Sequence, residues 1–214
     1  MPLSLLILVA AIQGLTEFLP VSSSGHLVLI PIVTDFAYQG RVIDVAAHVG
    51  TLIAVAFYLR AEIIAIAVAM LRFGRTDPDH ARLGIMLVLA TIPVIIAGYI
   101  VNYAHWQWLD MVYSLAIANL VFAVILWLAD KVPATRRDLA QIGLPHALII
   151  GIVQICALIP GASRSGVTMS AARFLGYDRV TAARFSLLLS LPTIAGAGLL
   201  KTLDLVKSGD ATLG

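Results

Sequence analysis

The chain has 214 residues, of which 60% are hydrophobic and 12% are charged, with one cysteine and a formal net charge of +2. Soluble domains have about 45–50% apolar and about 25% charged residues, so this composition excludes a soluble domain and predicts an integral membrane protein. The single cysteine excludes an intrachain disulfide, and no basic stretch interleaved with aromatic residues indicates a nucleic-acid partner.

Two apolar segments near the N-terminus, at 3–12 and 27–33, are too short to span a membrane, because a spanning helix needs about 20 residues. Between them lies a polar stretch, Q-G-L-T-E-F-L-P-V-S-S-S-G-H at 13–26, which Pro20 interrupts. Non-helical backbone at membrane depth persists only where protein buries it or where it lines a wet cavity. We therefore interpret the first polar stretch as the turn of a re-entrant hairpin and as a candidate site.

Spanning helices are predicted where apolar stretches are long enough, at 43–59, 83–101, 111–129 and 184–200. A shorter stretch at 63–71 is predicted to be an apolar or interfacial helix. Another apolar stretch, at 142–159, is broken by a second polar stretch, P-G-A-S-R-S-G at 160–166, and a short apolar segment follows at 167–176. Residues 201–214 are polar and weakly patterned.

The distribution of positive charge predicts the orientation. The loops at 72–82 and 130–138 each contain three Lys or Arg residues, whereas the loop between them, with Trp106 and Trp108, contains neither. Positive charge next to membrane segments favours the cytoplasmic side. The two charged loops are therefore predicted to be cytoplasmic, and the tryptophan loop, the 34–42 loop and the N-terminus to be outside.

An internal repeat relates the two polar stretches at an offset of 141 residues. Four positions are identical, in the pairs Gln13 and Gln154, Ser22 and Ser163, Ser24 and Ser165, and Gly25 and Gly166. Because three crossings separate the stretches, one hairpin enters from outside and the other from the cytoplasm, which is an inverted-topology repeat. We expect one membrane domain with repeat one at 1–129 and repeat two at 142–214, the second lacking counterparts of two helices.

The two polar stretches contain the residue types of a phosphate site. Serines, glycines and backbone N–H groups at a helix start cradle anions. An arginine inside a membrane, here Arg164, is costly unless it is paired, and its guanidinium can bind phosphate oxygens bidentately. Glu17 then needs a proton, Arg164 or a divalent cation, which Gln13 one turn earlier could share. Oxygen ligands suit Mg²⁺ or Ca²⁺.

A serine near a histidine can act as a nucleophile, and Ser23 lies three positions before His26. The reaction that this chemistry indicates is phosphoryl transfer to water. Purely structural roles stay open for the same residues, as a buried acid, as partners of the broken backbone, as a clamp or as a polar helix start. Asp44 and His48, one turn apart, are interpreted as polar packing in preference to a second metal or proton site.

At these residues the chain resembles the undecaprenyl-diphosphate phosphatase family of the bacitracin-resistance type. That family carries (E/Q)-x-x-x-E followed by P-V-S-S-[ST]-G-H, and the chain has Gln13, Glu17 and an unbroken match from Pro20 to His26. The second family motif, P-G-x-S-R-S-G, is complete at 160–166. The resemblance implies an all-α integral membrane protein with an inverted-topology repeat, two re-entrant helical hairpins and about four to six transmembrane helices.

The resemblance also implies an activity. It is hydrolysis of undecaprenyl diphosphate, a polyprenyl diphosphate lipid, to undecaprenyl phosphate and inorganic phosphate, which recycles the lipid carrier for cell-wall synthesis and confers bacitracin resistance. The implied location is the bacterial inner membrane, among membrane lipid, with the active site facing the periplasm. A divalent cation, Mg²⁺ or Ca²⁺, is implied, and a homodimer is compatible with the family. A transporter or flippase of a polyprenyl phosphate lipid is the alternative, because inverted repeats suit transport equally well.

Roles follow from the resemblance by motif position. Catalytic residues would be Glu17, Ser23, His26 and Arg164. Substrate would also contact Ser22, Ser24, Gly25, Gly161, Ser163, Ser165 and Gly166. Gln13 and Glu17 would hold the metal, and since many relatives have Glu where this chain has Gln13, a lower metal affinity is predicted.

Overall fold

The computed structural model describes residues 2–34, 36–104 and 112–208. In these ranges the chain forms α1 (Leu3–Thr16), α2 (Ser23–Val33), α3 (Arg41–Tyr58), α4 (Arg60–Leu71), α5 (Pro78–Ala104), α6 (Val112–Asp130), α7 (Leu144–Val153), α8 (Arg164–Phe174) and α9 (Arg179–Ser208). Two 3₁₀ turns, Leu139–Gln141 and Gln154–Leu158, flank α7. The prediction of an all-α fold is confirmed. The loop with Trp106 and Trp108 is not among the described residues, so its predicted position outside stays a prediction.

Three helices in the described ranges are long and apolar enough to cross a membrane, at Pro78–Val101, Tyr113–Asp130 and Arg179–Leu199. The α3–α4 pair passes the same test together but bends by 78° at its break, so it is one broken span or a re-entrant pair. The count of three, or four with the bent pair, meets the lower end of the prediction. The short helices α1, α2 and α7 are apolar but below spanning length.

Two helices begin about one turn earlier than the hydrophobic pattern predicted. α5 starts at Pro78 and not at 83, and α9 starts at Arg179 and not at 184. In both cases an aspartate just before the helix, Asp77 or Asp178, accepts a hydrogen bond from the backbone N–H three residues later. Such capping satisfies an otherwise unpaired donor and sets the helix start. α9 also runs to Ser208, into the polar and weakly patterned segment that begins at residue 201.

The outward faces of the spanning helices are apolar. On α6, Ile117, Leu120 and Trp127 each expose 60% or more of their surface. Soluble proteins rarely expose contiguous apolar patches of this kind, whereas lipid contact requires them. The fold and composition together are those of an integral membrane protein with several membrane helices.

Within the described ranges, buried side chains form two separate cores. The larger core joins α5, α7, α8 and the first half of α9 around Tyr177 and Phe185, neither of which is exposed. The smaller core holds α1 against α2 through Leu5, Val9, Leu27 and Ile30. Each broken hairpin is therefore packed on its own hydrophobic base, and the polar breaks of the two hairpins are left to meet one another.

Candidate functional site

Each polar stretch contains a serine that comes directly before a helix, and the two serines have similar positive φ angles. Ser22, before α2, has φ of +62°, and Ser163, before α8, has φ of +51°. Positive φ is uncommon outside glycine and is often found at functional sites. The hydroxyl of each serine accepts a hydrogen bond from a backbone N–H three residues on, Gly25 at 3.3 Å and Gly166 at 3.2 Å. The 141-residue offset places the first and last residues of α2 on those of α8.

The helix α6 lies directly against both breaks, and two glycines permit this approach. Gly161 has φ of +93°, and a β-carbon there would collide with the backbone carbonyl of Leu115. A β-carbon at Gly25 would lie 3.3 Å from the side-chain amide nitrogen of Asn119 on the same helix. Gly161 therefore requires a residue without a side chain, both for its positive φ and for the approach of the Leu115 backbone. At Gly25 a β-carbon would fit only if the Asn119 amide moved by a few tenths of an ångström.

Glu17 is the centre of the candidate site. Its carboxylate is buried. Oε2 accepts hydrogen bonds from Gln13 Nε2 at 2.8 Å and from Ser23 Oγ at 2.7 Å, and Oε1 accepts one from Arg164 Nη2 at 2.9 Å. The two polar stretches, far apart in sequence, are thus joined by a buried ion pair. Charge-assisted hydrogen bonds of this kind are short and strong.

Arg164 is the first residue of α8, so its guanidinium extends from the helix start. The side chain is 14% exposed, and its bond to Glu17 uses one of the five N–H donors that a guanidinium has. A second link between the breaks comes from Ser165, whose hydroxyl donates to the carbonyl oxygen of Leu19 at 2.8 Å. Arg164 therefore has further N–H groups that can bind an anion, next to two breaks that a hydrogen bond holds together.

The serine and the histidine of the first stretch do not form the pair that their spacing predicted. Ser23 Oγ bonds to Glu17, whereas His26 Nδ1 lies 2.8 Å from the backbone oxygen of Ser22. His26 is also outside the wall of the cavity into which Ser23 faces. In this geometry the carboxylate of Glu17, and not the imidazole of His26, is positioned to take a proton from Ser23.

A cavity of about 350 Å³ opens at this cluster. Its polar part includes seven predicted site residues, Glu17, Ser22, Ser23, Ser24, Gly161, Ser163 and Arg164, together with His48, Gln154 and Thr193. Its apolar part comes from α3, α5, the turn after α7, and α9, with Val45, Val49, Val94, Leu158 and Ile194 among its members. The predicted residues Gln13, Gly25, His26, Ser165 and Gly166 support the cavity from outside its wall. Such a cavity fits a charged headgroup joined to an apolar chain.

His48 belongs to the site, although the sequence analysis interpreted it as a polar packing residue. It lines the cavity, and its Nε2 lies 3.6 Å from Glu17 Oε2. Asp44, one turn earlier, does pack as expected and accepts hydrogen bonds from Tyr38 Oη at 2.6 Å and Gln39 Nε2 at 2.7 Å. The repeat gave no signal for His48, because the 141-residue offset places it on a leucine.

Two buried amides stand at equivalent positions of the repeat. Gln13 and Gln154 are both fully buried. Gln13 donates to Glu17, whereas Gln154 donates to Thr193 Oγ1 at 2.9 Å in the cavity wall. Among the described residues, the side-chain oxygens of both amides lack a hydrogen-bond partner. Unpaired buried acceptors are rare, and the Gln13 side chain that carries one bonds through Nε2 to the only carboxylate of the first polar stretch.

Comparisons with known proteins are consistent along the chain. The sequence matches the family described as Bacitracin resistance protein BacA over residues 6–213. An undecaprenyl-diphosphatase of Roseobacter denitrificans is 46% identical over 210 residues, which cover 96% of this chain and 78% of the relative. One of Dinoroseobacter shibae is 47% identical over 214 residues, covering 97% and 79%. One of Maricaulis maris is 45% identical over 218 residues, covering 100% and 81%.

Proposed function

The chain belongs to the Bacitracin resistance protein BacA family, and we propose from this membership that it is an undecaprenyl-diphosphatase. It hydrolyses undecaprenyl diphosphate to undecaprenyl phosphate and inorganic phosphate, as the names of its relatives state for them. The lipid carrier is thereby recycled for cell-wall synthesis, and bacitracin resistance follows from the same activity.

One observation supports this reaction above others. A buried carboxylate, a serine hydroxyl and a guanidinium converge at the polar part of a cavity whose remaining wall is apolar. Phosphoryl transfer depends mainly on positioning and on stabilising charge at the phosphate oxygens. The cluster offers both, and the apolar wall suits the first part of a polyprenyl chain.

We assign roles from the contacts. Arg164 binds oxygens of the diphosphate, which compete with Glu17 for its N–H groups. Ser23 Oγ attacks the terminal phosphorus while its proton passes to Glu17 Oε2, and the bond from that phosphorus to the oxygen of the lipid phosphate breaks. Water then attacks the same phosphorus and the bond from Ser23 Oγ to phosphorus breaks. Oγ takes back the proton from Glu17, and the protons of the water leave with the inorganic phosphate. Direct attack by water, with Glu17 as base and Ser23 as positioning residue, is the other route that these contacts allow.

The residues present also suit a divalent cation held partly by substrate. Within the described residues, no three His, Cys, Asp or Glu side chains cluster as a metal site. Mg²⁺ commonly uses one or two carboxylates together with substrate phosphates. The Gln13 side chain bonds to Glu17 through Nε2, and its buried oxygen has no partner among the described residues. Gln13 and Glu17 would hold Mg²⁺ or Ca²⁺. Such an ion stabilises charge on phosphate oxygens when bound.

The site is proposed to face the periplasm from the bacterial inner membrane. The supporting observation is the charge of the loops, since the 72–82 and 130–138 segments are the Arg- and Lys-bearing ones and positive loops stay cytoplasmic. In that orientation the first hairpin, which carries Glu17 and Ser23, enters from outside.

A phosphate-release assay tests the proposal. The purified chain in detergent should release inorganic phosphate from undecaprenyl diphosphate, and Glu17→Gln should reduce the rate by about 100-fold or more. Glu62→Gln is the matched control, because Glu62 pairs with Arg184 outside the cavity. Absence of phosphate release by the unaltered chain, combined with movement of a polyprenyl phosphate across proteoliposomes, would instead support the transport alternative.

A further inference from the structure

The imidazole of His48 is held in a defined tautomer. Its Nδ1 lies 2.7 Å from the backbone oxygen of Asp44. A carbonyl oxygen only accepts hydrogen bonds, so Nδ1 must carry the hydrogen. In the neutral ring the lone pair is then on Nε2, the nitrogen that lies 3.6 Å from Glu17 Oε2. The side chain is 35% exposed and borders the cavity.

With a neutral ring, Nε2 is an acceptor that faces Glu17 Oε2, an oxygen that already accepts hydrogen bonds from Gln13 and Ser23. A carboxylate oxygen and an imidazole lone pair repel at this separation unless a positive charge lies between or beside them. Arg164 does not meet this need directly, because its hydrogen bond is to the other carboxylate oxygen, Oε1. A histidine that ligates a metal almost always donates its second ring N–H to a carbonyl, a carboxylate or water. His48 shows that pattern.

We propose that His48 is a third protein ligand of the divalent cation, through Nε2, together with Glu17 and Gln13. The inference rests on the proposed function to the extent that it concerns the same cation. Mg²⁺ holds octahedral ligands at about 2.0–2.1 Å, so neighbouring ligands are about 3 Å apart. The observed 3.6 Å between His48 Nε2 and Glu17 Oε2 needs only a small movement of either side chain.

A nitrogen ligand changes which cation the site selects. Ca²⁺ and Mg²⁺ both take oxygen ligands, whereas imidazole suits divalent transition ions. A site with a nitrogen ligand therefore favours a transition ion such as Mn²⁺ over Mg²⁺ and Ca²⁺. Replacing His48 by glutamine exchanges the nitrogen for an amide oxygen and should shift this preference back toward Mg²⁺ and Ca²⁺.

Pulsed electron paramagnetic resonance of the full chain in detergent, loaded with Mn²⁺ alone, tests the assignment. The unaltered protein should show coupling of Mn²⁺ to a directly bound nitrogen, and ¹⁵N labelling of histidine should change that coupling. His48→Gln and Glu17→Gln should each abolish it, and Mn²⁺ should bind to His48→Gln at least about tenfold more weakly. His80→Gln is the matched control, because His80 bonds to Asp77 before α5, away from the cavity.

The outcomes separate the two proposals. Nitrogen coupling that persists in His48→Gln, or bound Mn²⁺ that depends on Glu17 but shows no coupling, overturns the role of His48. The ¹⁵N experiment decides the matter if the variants fail to fold, since an unchanged spectrum excludes a histidine ligand. Phosphate release without nitrogen coupling overturns the ligand alone, whereas nitrogen coupling without phosphate release supports the ligand and counts against the proposed function.

Discussion

Arg164 Nη2 lies 2.9 Å from Glu17 Oε1, although the two residues are 147 positions apart in the chain. This ion pair joins the residue after α1, in the first broken hairpin, to the first residue of α8, in the second, and leaves both side chains largely buried. Removing one partner of such a buried pair destabilises the fold, because the other charge is left buried and unpaired. It also places the Arg164 guanidinium where a phosphate can compete for it, so the same contact organises the cavity and marks where the charge of the substrate binds.

Arg164→Lys should lower the rate of phosphate release by about 100-fold or more. Lysine keeps the charge but is a point donor, so it cannot bind two phosphate oxygens in a planar fork. Arg184→Lys is the control, because Arg184 pairs with Glu62 and its side chain is 54% exposed. The comparison uses kcat and KM for undecaprenyl diphosphate. Equal rates for the two variants would show that Arg164 is a structural clamp.

Ser23→Ala and Glu17→Gln should reduce phosphate release to similar levels, and the double variant should be no worse than either one. Groups that act as a unit have strongly non-additive effects, and Ser23 Oγ donates directly to Glu17 Oε2 at 2.7 Å. Ser24→Ala is the comparison, because the Ser24 hydroxyl lies 3.3 Å from that of Ser22 instead. Multiplicative losses in the double variant would separate the two roles.

Much of this site could be predicted from the sequence because its key residues are local in the chain. Gln13, Glu17 and the serines lie within two short motifs, and the 141-residue offset relates Ser22 to Ser163 from the sequence alone. Hydropathy and half-length helices likewise predict a broken hairpin. The motifs and the hydropathy pattern both depend on residues a few positions apart, so they can be read directly from the sequence.

The remaining features depend on how distant helices pack. His48 reaches Glu17 only because α3 lies against α1, and its spacing from Asp44 is that of any amphipathic helix. The apolar wall includes Val94 from α5 and Ile194 from α9. These residues are a hundred positions apart in the chain, and no pattern in the sequence indicates that they lie together. The early start of α9 follows from the capping residue Asp178. A hydrophobicity average over many residues does not detect a single polar residue of this kind.

Gly161→Ala should destabilise the protein by roughly 1–3 kcal/mol or more, because an L-residue is strained at this φ and its β-carbon meets the Leu115 carbonyl. Gly14→Ala is the control, because a β-carbon there has no neighbour within 4 Å and alanine favours helix. Thermal unfolding in detergent should give a lower Tm for the first variant and an unchanged or higher Tm for the second. A neutral Gly161→Ala would mean that α6 does not lie against the second break.

Arg173→Leu should destabilise the fold without altering the chemistry of the site. The Arg173 guanidinium donates to three backbone oxygens, those of Asp130, Val132 and Tyr177, at 2.6–2.8 Å. Each buried acceptor left without a donor costs about 1–3 kcal/mol. Arg179→Leu is the matched control, because that side chain is 74% exposed and its pair with Asp130 is solvated. The Tm should fall clearly for Arg173→Leu and little for Arg179→Leu, with kcat retained in the folded fraction of both.

Gln13→Glu should increase the affinity for the activating cation by about tenfold or more, since it adds a unit charge a few ångströms from the ion. Gln13 Nε2 lies 2.8 Å from Glu17 Oε2, so two carboxylates at this distance repel unless a cation is bound. The concentration of Mg²⁺ that gives half-maximal phosphate release after chelator treatment should therefore fall.

Gln154→Glu is the matched control for that change. Gln154 is equally buried and occupies the equivalent position of the repeat, but it bonds to Thr193 and not to Glu17. A carboxylate there should leave the Mg²⁺ dependence unchanged, because it is not adjacent to the acidic ligand. If both variants lowered the Mg²⁺ requirement equally, the effect would come from the general negative charge of the cavity, and the assignment of Gln13 as a ligand would be wrong.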